Sequence, residues 1–155
     1  MHIFTTDQLN TLISKIKGKK IVVVGGCFDI LHPGHVAFLV EAKKLGEILI
    51  VFLESDKAVR MRKGEERPKN TSDIRATILL EKTLVDDVII LPFPFTDHDY
   101  DSLVTSLKPA IIATTEGDPY ISHKIRQGRL IGAEVKEVIN RLPDYSTTDL
   151  IKETI

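Results

Sequence analysis

The amino-acid sequence lacks the features that mark disulfide-stabilised, membrane-spanning or nucleic-acid-binding proteins. It has one cysteine, Cys27, and no tryptophan, so an internal disulfide and a zinc site built from several cysteines are both excluded. No stretch reaches about 18 consecutive apolar residues, and the N-terminal segment lacks the basic region and apolar core of a signal peptide. The net charge of −1 gives no general attraction to nucleic acid or to anionic membranes. We therefore expect a cytoplasmic protein that binds neither nucleic acid nor membrane.

What the sequence does contain is an alternation of short β-branched runs and amphipathic segments. The chain has 155 residues, of which 43% are hydrophobic and 28% are charged, and we expect one domain over residues 1–155. An N-terminal segment over residues 1–18 carries a helix at residues 6–17, and a core follows over residues 19–155. Strands alternating with helices predict an α/β fold, a Rossmann-like doubly wound parallel sheet of about five strands with helices on both faces. The charged stretch over residues 56–70 shows no hydrophobic period and is expected to be a mobile loop.

The segment "GGCFDILHPGH", residues 25–35, places two histidines where a buried strand turns into a helix. In a doubly wound sheet this position borders the crevice outside the carboxyl ends of the strands, where ligands bind. Three interpretations compete. In the first, Pro33 and the glycines merely start the helix, and in the second, His32 and His35 supply two ligands to a metal. In the third, the helix N-terminus offers unpaired N–H groups and partial positive charge to a phosphate, and the histidines donate hydrogen bonds to phosphoryl oxygens.

The same segment resembles the signature of the HxGH nucleotidyltransferases, the cytidylyltransferase-like superfamily. The common glycine-rich phosphate-binding patterns G-x-x-x-x-G-K-[ST] and G-x-G-x-x-G are both absent, so a phosphate site here is of another kind. The stretch "ESDKAVRMRKGEERPKNTSDIR", residues 54–75, is similar to the segment after the second strand in the heptose 1-phosphate adenylyltransferases. The later stretch "STTDLI" also resembles that family. The likeness spans residues 19–151, nearly the whole chain.

The resemblance implies an enzyme that joins the NMP of an NTP to a phosphorylated small molecule and releases pyrophosphate. The favoured substrates are ATP and a sugar 1-phosphate of the heptose type. Mg²⁺ is expected to arrive with the NTP, with no metal ligand assigned to the protein, and a homodimer fits the family. The implied catalytic residues are His32, His35, Lys63 and Arg75. The implied nucleotide-binding residues are Gly26, Cys27, Phe28, Asp29, Gly34, Gly117, Asp118, Arg141, Ser146, Thr147 and Thr148. Three further residues, Asp56, Arg67 and Asn70, are expected to bind the acceptor or to hold the loop in shape.

Other residues near these motifs receive smaller roles. Cys27 is expected to be a small buried side chain rather than a nucleophile, because the acceptor phosphate is itself the attacking group. The segment over residues 93–101 is expected to form a loop that lines the acceptor pocket. His123 and Lys124 are surface residues by default, or they reach a sugar or base.

Two sequence markers divide on the identity of the nucleotide. The loop over residues 67–70 favours an adenylyltransferase, whereas Arg141 matches an arginine of the glycerol-phosphate cytidylyltransferases. Those enzymes also have an arginine where this chain has Thr83, and this difference counts against membership of that group. The alternative is therefore a CTP-dependent enzyme acting on glycerol 3-phosphate or another alcohol phosphate. A non-catalytic nucleotide-binding module is a further alternative, and the intact histidines argue against it because binding alone needs no groups that stabilise a transition state.

Overall fold

The computed structural model of the chain describes residues 1–138. The stretch "STTDLI", with Ser146, Thr147 and Thr148, and Arg141 before it lie outside the described residues. The strands are β1 (His2–Thr5), β2 (Ile21–Gly26), β3 (Ile48–Leu53), β4 (Asp87–Ile90), β5 (Ile111–Thr115) and β6 (Glu134–Val138). The helices are α1 (Leu9–Ile16), α2 (Pro33–Lys43), α3 (Asp56–Lys63), α4 (Ser72–Glu81), α5 (Asp97–Leu107) and α6 (Ile121–Ile131), and a 3-10 turn at Thr6–Gln8 precedes α1.

The strands form one parallel sheet in the order β1-β4-β3-β2-β5-β6. After β2 the chain moves outward on one side to β3 and β4, and it then returns to the other side of β2 to add β5 and β6. The direction of winding therefore reverses between β2 and β5. In open parallel sheets this reversal opens a crevice at the carboxyl ends of the strands, which is the position expected for the histidine segment.

Helices cover both faces of the sheet, as a doubly wound fold requires. Alternate side chains of β2 supply the two cores, since Val22 and Val24 face the core that contains α2 and α4, while Val23 faces the core that contains α1 and α5. The β2 run is buried from Ile21 to Val24, as expected for a parallel strand covered on both faces. The expected α/β architecture is confirmed, with six strands in the sheet.

Two elements differ from the sequence-based expectation. The first is β1, an edge strand in which only Phe4 is buried and which is held by a hydrogen bond from the His2 N–H to the Asp87 carboxylate at 3.1 Å. The second is α3, which occupies the first half of the stretch expected to be a loop. Its N-terminus is capped by Ser55, whose Oγ accepts from Ala58 N–H at 3.1 Å, and it buries a single side chain, Val59. One buried residue gives no hydrophobic period to detect.

The segment expected as a loop over residues 93–101 also begins a helix within its length. Thr96 caps α5, with its Oγ1 accepting from Asp99 N–H at 3.2 Å and its own N–H donating to the Asp99 carboxylate at 2.8 Å. This reciprocal bonding satisfies two backbone donors at the helix start. Within residues 1–138, no helix has both the length and the apolar character needed to span a membrane.

Candidate active site

Two histidines cap the N-terminus of α2 in a reciprocal arrangement. The N–H of His35 donates to Nδ1 of His32 at 3.3 Å, and the N–H of His32 donates to Nδ1 of His35 at 3.4 Å. Pro33 lies in the first turn, where its missing N–H costs no helical hydrogen bond. Because each Nδ1 is an acceptor, each neutral ring holds its proton on Nε2. The capping geometry therefore makes both rings Nε2–H donors.

The two imidazole rings stack closely. Their centroids lie 3.7 Å apart with 18° between the ring planes, and Phe28 meets the ring of His35 edge-on at 5.3 Å. Burial, together with the charges of His32 and Lys63, lowers the pKa of His35 to about 4, against the opposing effect of a hydrogen bond with the Ile30 backbone. Burial also lowers the pKa of His32. Both rings are therefore neutral at pH 7.

The turn that joins β2 to α2 is tight. Phe28 has a φ of 45°, a left-handed conformation that is uncommon for residues other than glycine. A Cβ added at Gly26 would lie 2.9 Å from Cε2 of Phe28, so a side chain there would displace the aromatic ring that borders His35. Glycine at this position therefore keeps the histidine pair in place.

Cationic side chains from α3 and α6 lie in the wall of the crevice. Arg62 donates from Nη2 to both carboxylate oxygens of Glu54 at 2.8 and 2.7 Å, and Lys124 pairs with another carboxylate. Lys63, the last residue of α3, places Nζ 3.4 Å from Sγ of Cys27. It has no carboxylate partner within residues 1–138. Among the described lysines and arginines of this wall, Lys63 therefore offers its charge to a ligand most directly.

A buried carboxylate, Asp29, organises the loop that follows α3. It accepts from the N–H groups of Lys69 and Asn70, each at 2.9 Å, and from Nε of Arg67 at 2.7 Å. Asn70 returns a hydrogen bond from Nδ2 to the Asp29 carbonyl at 2.8 Å. Burial raises the pKa of Asp29, but these donors outweigh it and hold that pKa below its ordinary value. Asp29 therefore acts as the anchor of the loop.

Arg75 lies inside the protein rather than in the crevice. Its side chain is 1% exposed, and its three nitrogens donate to the Cys27 carbonyl at 2.8 Å, the Asn70 carbonyl at 3.0 Å and the Asp56 carboxylate at 2.7 Å. Every nitrogen of the guanidinium already donates to a protein acceptor. The expected role of Arg75 as a direct contact of the triphosphate is therefore not supported by its position. Arg75 is therefore a buried residue and not a surface arginine. With Arg67, it frames the wall from behind.

The end of β5 carries a second polar cluster. The Thr114 hydroxyl donates to the Asp118 carboxylate at 2.5 Å and accepts from Nζ of Lys124 at 3.1 Å, while Lys124 and Asp118 form an ion pair. Tyr120 N–H also donates to Asp118 at 2.8 Å. Burial raises the pKa of Asp118, and the hydrogen bonds from these three residues lower it by more. These contacts fix the position of Lys124 at the crevice.

These elements surround a cavity of about 930 Å³ at the carboxyl ends of β2 and β5. The cavity brings together eight of the residues expected from sequence, namely Gly26, Cys27, Phe28, His32, Gly34, His35, Lys63 and Asp118. Six others, Asp29, Asp56, Arg67, Asn70, Arg75 and Gly117, are described but lie outside the cavity wall. The predicted set therefore divides into residues that face the cavity and residues that support its wall.

Sequence reasoning missed several residues of the wall. Glu54 follows β3, Tyr100 lies on α5 and Gln127 lies on α6. Burial and the negative charge of Glu54 raise the pKa of Tyr100 to about 12. These residues have no motif or spacing of their own, and only the sheet order brings α5 and α6 to the same crevice as α2.

Comparison with known proteins agrees with this geometry. The family model described as cytidylyltransferase-like matches residues 23–153. The chain belongs to the cytidylyltransferase-like family. This match confirms the resemblance that the histidine segment carries.

Several proteins with curated descriptions and solved structures are similar to this member of the cytidylyltransferase-like family. It is 39% identical to the bifunctional protein HldE of Campylobacter concisus over 94% of this chain, and 37% identical to HldE of Actinobacillus pleuropneumoniae over 97%. It spans 29% and 31% of the lengths of those two proteins. A lipopolysaccharide core biosynthesis protein from Thermoplasma volcanium is 30% identical with a TM-score of 0.64, covering 82% of this chain and 100% of that one. A pantoate-β-alanine ligase from Francisella tularensis, 15% identical with a TM-score of 0.66 over 97% of this chain and 76% of its own, shares the fold.

Proposed function

We propose that this chain is a nucleotidyltransferase that joins the AMP of ATP to a sugar 1-phosphate of the heptose type. An oxygen of the acceptor phosphate attacks the α-phosphorus of ATP, the bond from that phosphorus to the bridging oxygen breaks, and its electron pair leaves with pyrophosphate. The observation that carries the proposal is the stacked, reciprocally capped histidine pair at the start of α2, which opens onto the cavity.

The histidines act as neutral hydrogen-bond donors rather than as acids or bases. Nδ1 of each ring accepts a backbone hydrogen bond, and both rings line the cavity, so in this proposal their Nε2–H groups turn to a phosphoryl oxygen when the triphosphate binds. The N-terminus of α2 adds unpaired N–H groups and partial positive charge at the same place. Donors fixed in advance toward developing negative charge stabilise the transition state without any proton transfer.

Lys63 neutralises charge on the phosphates, and the buried residues hold it in position. Its Nζ is near Cys27, whose carbonyl Arg75 binds at 2.8 Å, and Arg75 also holds the first residue of α3 through Asp56. In this proposal Arg75, Arg67 and Asn70 are positioning residues. The nucleotide-binding roles of Arg141, Ser146, Thr147 and Thr148 remain part of the proposal.

Mg²⁺ is proposed to enter with the triphosphate. Within residues 1–138 there is no cluster of three or more histidine, cysteine or acidic side chains able to hold a metal. Two of the carboxylates that line the cavity, Glu54 and Asp118, are hydrogen-bonded to protein donors. Mg²⁺ prefers phosphate and water oxygens to an all-protein cage. When bound, it would neutralise charge on the triphosphate.

ATP is favoured over CTP by the loop over residues 67–70, which resembles the adenylyltransferases of heptose 1-phosphate. The relatives named HldE and the lipopolysaccharide core biosynthesis protein support an acceptor of the sugar-phosphate class. Arg141 is the residue that favours CTP, so the test includes both nucleotides.

The first experiment measures the melting temperature with Mg²⁺ and each of ATP, CTP, GTP and UTP. A nucleotide at 100 times its dissociation constant adds about 2.7 kcal/mol to the free energy of unfolding, a shift of several degrees for a domain of this size. We expect the shift with ATP. A shift with CTP alone would transfer the proposal to the cytidylyltransferase alternative, and no shift with any nucleotide would refute it.

The second experiment measures pyrophosphate release from ATP and a heptose 1-phosphate. His35→Ala should lower kcat by about 10²- to 10³-fold, the usual effect of removing one donor to a transition state, with little change in nucleotide affinity. His98→Ala is the matched control, because His98 is exposed and lies outside the cavity wall. A wild type that binds ATP and releases no pyrophosphate, with His35→Ala changing only the affinity, would instead indicate a nucleotide-binding module.

A further inference from the structure

Within residues 1–138, Arg62 is the one arginine that lines the cavity, and its guanidinium is only partly used. Nη2 donates to both carboxylate oxygens of Glu54, at 2.8 and 2.7 Å. Nη1 and Nε donate to no group in the described part of the chain. The side chain is 38% exposed, so a solute in the cavity can reach it. Arg62 therefore keeps two nitrogens with which to bind a ligand.

The other arginines near the site have no such donors. Arg75 uses all three of its nitrogens on protein acceptors. Arg67 donates from Nε to Asp29, and its Nη2 is sealed from solvent, where no solute can reach it. The phosphate-binding arginine that the family resemblance implies at Arg75 is therefore better matched, in the described cavity wall, by Arg62.

The described wall of the cavity is balanced in charge, although the proposed substrates are polyanions. Its two cap histidines are neutral at pH 7, because burial lowers their pKa values. Its charged side chains are three cations, Arg62, Lys63 and Lys124, and three carboxylates, Glu54, Asp97 and Asp118. Each cation that stays paired with a carboxylate is one cation fewer for a phosphate. Binding of a polyanion therefore favours the opening of an ion pair in this wall.

The pair between Glu54 and Arg62 is the easier of two to open. Their side chains are 23% and 38% exposed, and water screens such a pair, so its net stabilisation is small. The pair between Asp118 and Lys124 is only 8% and 22% exposed, and both partners also bond to the Thr114 hydroxyl. A phosphate presents several charged oxygens to the planar fork of an arginine and binds it strongly. A phosphate in the cavity can therefore replace Glu54 at Arg62.

We propose that Arg62 is a phosphate-binding residue of this cavity and that Glu54 is its built-in competitor, which a substrate phosphate displaces. The phosphate belongs to the nucleotide or to the acceptor, and the inference rests on the proposed function for these two sources. Arg62 then joins Lys63, the next residue of α3, in neutralising phosphate charge. Glu54 lowers the affinity, because the phosphate has to replace its carboxylate.

The test changes the two partners of the ion pair separately. Calorimetry measures the binding of an α,β-methylene analogue of ATP with Mg²⁺, and of a heptose 1-phosphate to protein saturated with that analogue. For at least one of these ligands, Arg62→Met should weaken binding about tenfold, the loss of a charge-assisted hydrogen bond. Glu54→Gln should strengthen binding of the same ligand about two- to fivefold, because it removes a half-exposed ion pair that competes with the ligand. The ligand that responds identifies the source of the phosphate.

The opposite signs distinguish a phosphate site from an ion pair that only supports the wall. If both variants weaken binding, or if neither changes it, the inference is overturned. A wild type that binds neither ligand overturns it as well. Arg62→Lys keeps the charge without the planar fork and should weaken binding less than Arg62→Met does. Arg62→Gln takes the place of the methionine variant if that variant folds poorly.

The matched controls are Arg126→Met and Asp101→Asn. These two residues form an ion pair of the same kind, with contacts of 2.9 and 2.7 Å and side chains that are 50% and 23% exposed. Both residues lie outside the cavity wall, so neither change should alter the affinity for either ligand. Changes of affinity equal to those at Arg62 and Glu54 would be a general effect of losing an ion pair, and they would overturn the inference.

Pyrophosphate release by the wild type separates this inference from the proposed function. Turnover by the wild type, with unaltered affinities in the Arg62 variants, refutes the phosphate assignment and leaves the transferase intact. Affinities that change with opposite signs, without any pyrophosphate release, refute the transferase and leave the phosphate assignment intact.

Discussion

The neutral state of the histidine pair makes the stability of the fold depend on pH in a predictable direction. The pKa of His35 is lowered from 6.5 to about 4 in the folded protein, chiefly by burial. As the pH falls, the unfolded chain therefore binds a proton at this residue before the folded protein does. The contribution of His35 to the free energy of unfolding is complete above pH 6.5 and is lost between about pH 6.5 and pH 4.

The size of this loss follows from the two pKa values. One pKa unit corresponds to about 1.36 kcal/mol, and between pH 7.5 and pH 5.0 the difference in proton binding at His35 amounts to about 2 kcal/mol. For a domain of this length each kcal/mol shifts the melting temperature by about 2–4 °C. The wild type should therefore lose about 4–8 °C through His35 alone over this range.

The variant His35→Asn isolates the effect. Its Oδ1 can accept from the His32 N–H as Nδ1 of His35 does, so the helix cap is retained while the titrating group is removed. Melting temperatures of both proteins at pH 7.5 and pH 5.0 give a double difference in which the other titrating groups cancel. The variant should lose less on acidification. If both proteins lose the same number of degrees, the buried neutral state of His35 is refuted.

Two further predictions concern buried ionic contacts. Arg75→Leu leaves the Asp56 carboxylate and two carbonyls without their donor and should lower the free energy of unfolding by about 3 kcal/mol in urea; a loss under 1 kcal/mol would contradict the positioning role. Asp87→Ala removes the acceptor for Lys15 at 2.6 Å and for the His2 N–H at 3.1 Å, at a cost of about 2 kcal/mol. It should speed hydrogen exchange at β1 amides more than at β2 amides, and uniform acceleration would show that Asp87 does not specifically hold the edge strand.

The parts of the fold that were predictable are those whose residues carry their own signal. β2 is a buried β-branched run ending at two glycines, and its side chains alternate between the two cores. By contrast β1 buries only Phe4 and depends on Asp87, which lies 85 residues from His2 in the chain. In α3 the single buried residue, Val59, leaves no period to recognise. Elements that bury a single residue cannot be detected by periodicity, because periodicity records repeated burial.

The candidate site divides in the same way. The histidine pair is encoded locally, because the spacing of three residues between His32 and His35 is the spacing of a reciprocal helix cap. The burial of Arg75 is encoded at a distance, since Asp56 lies 19 residues away and Cys27 lies 48 residues away. In the sequence alone, nothing separates a solvated arginine from a buried one until those partners are placed.

This division has a consequence for how the site tolerates change. The locally encoded half depends on a few backbone hydrogen bonds at one helix start, so substitution there should alter chemistry while leaving the fold intact. The half encoded at a distance depends on buried charges, and removing one partner leaves another buried charge uncompensated. Arg75 ties the β2–α2 turn to the start of α3, the helix that ends at Lys63, and Asp29 ties the same turn to the loop that follows α3. Substitution of Asp29 or Arg75 should therefore lower the free energy of unfolding more than it lowers kcat.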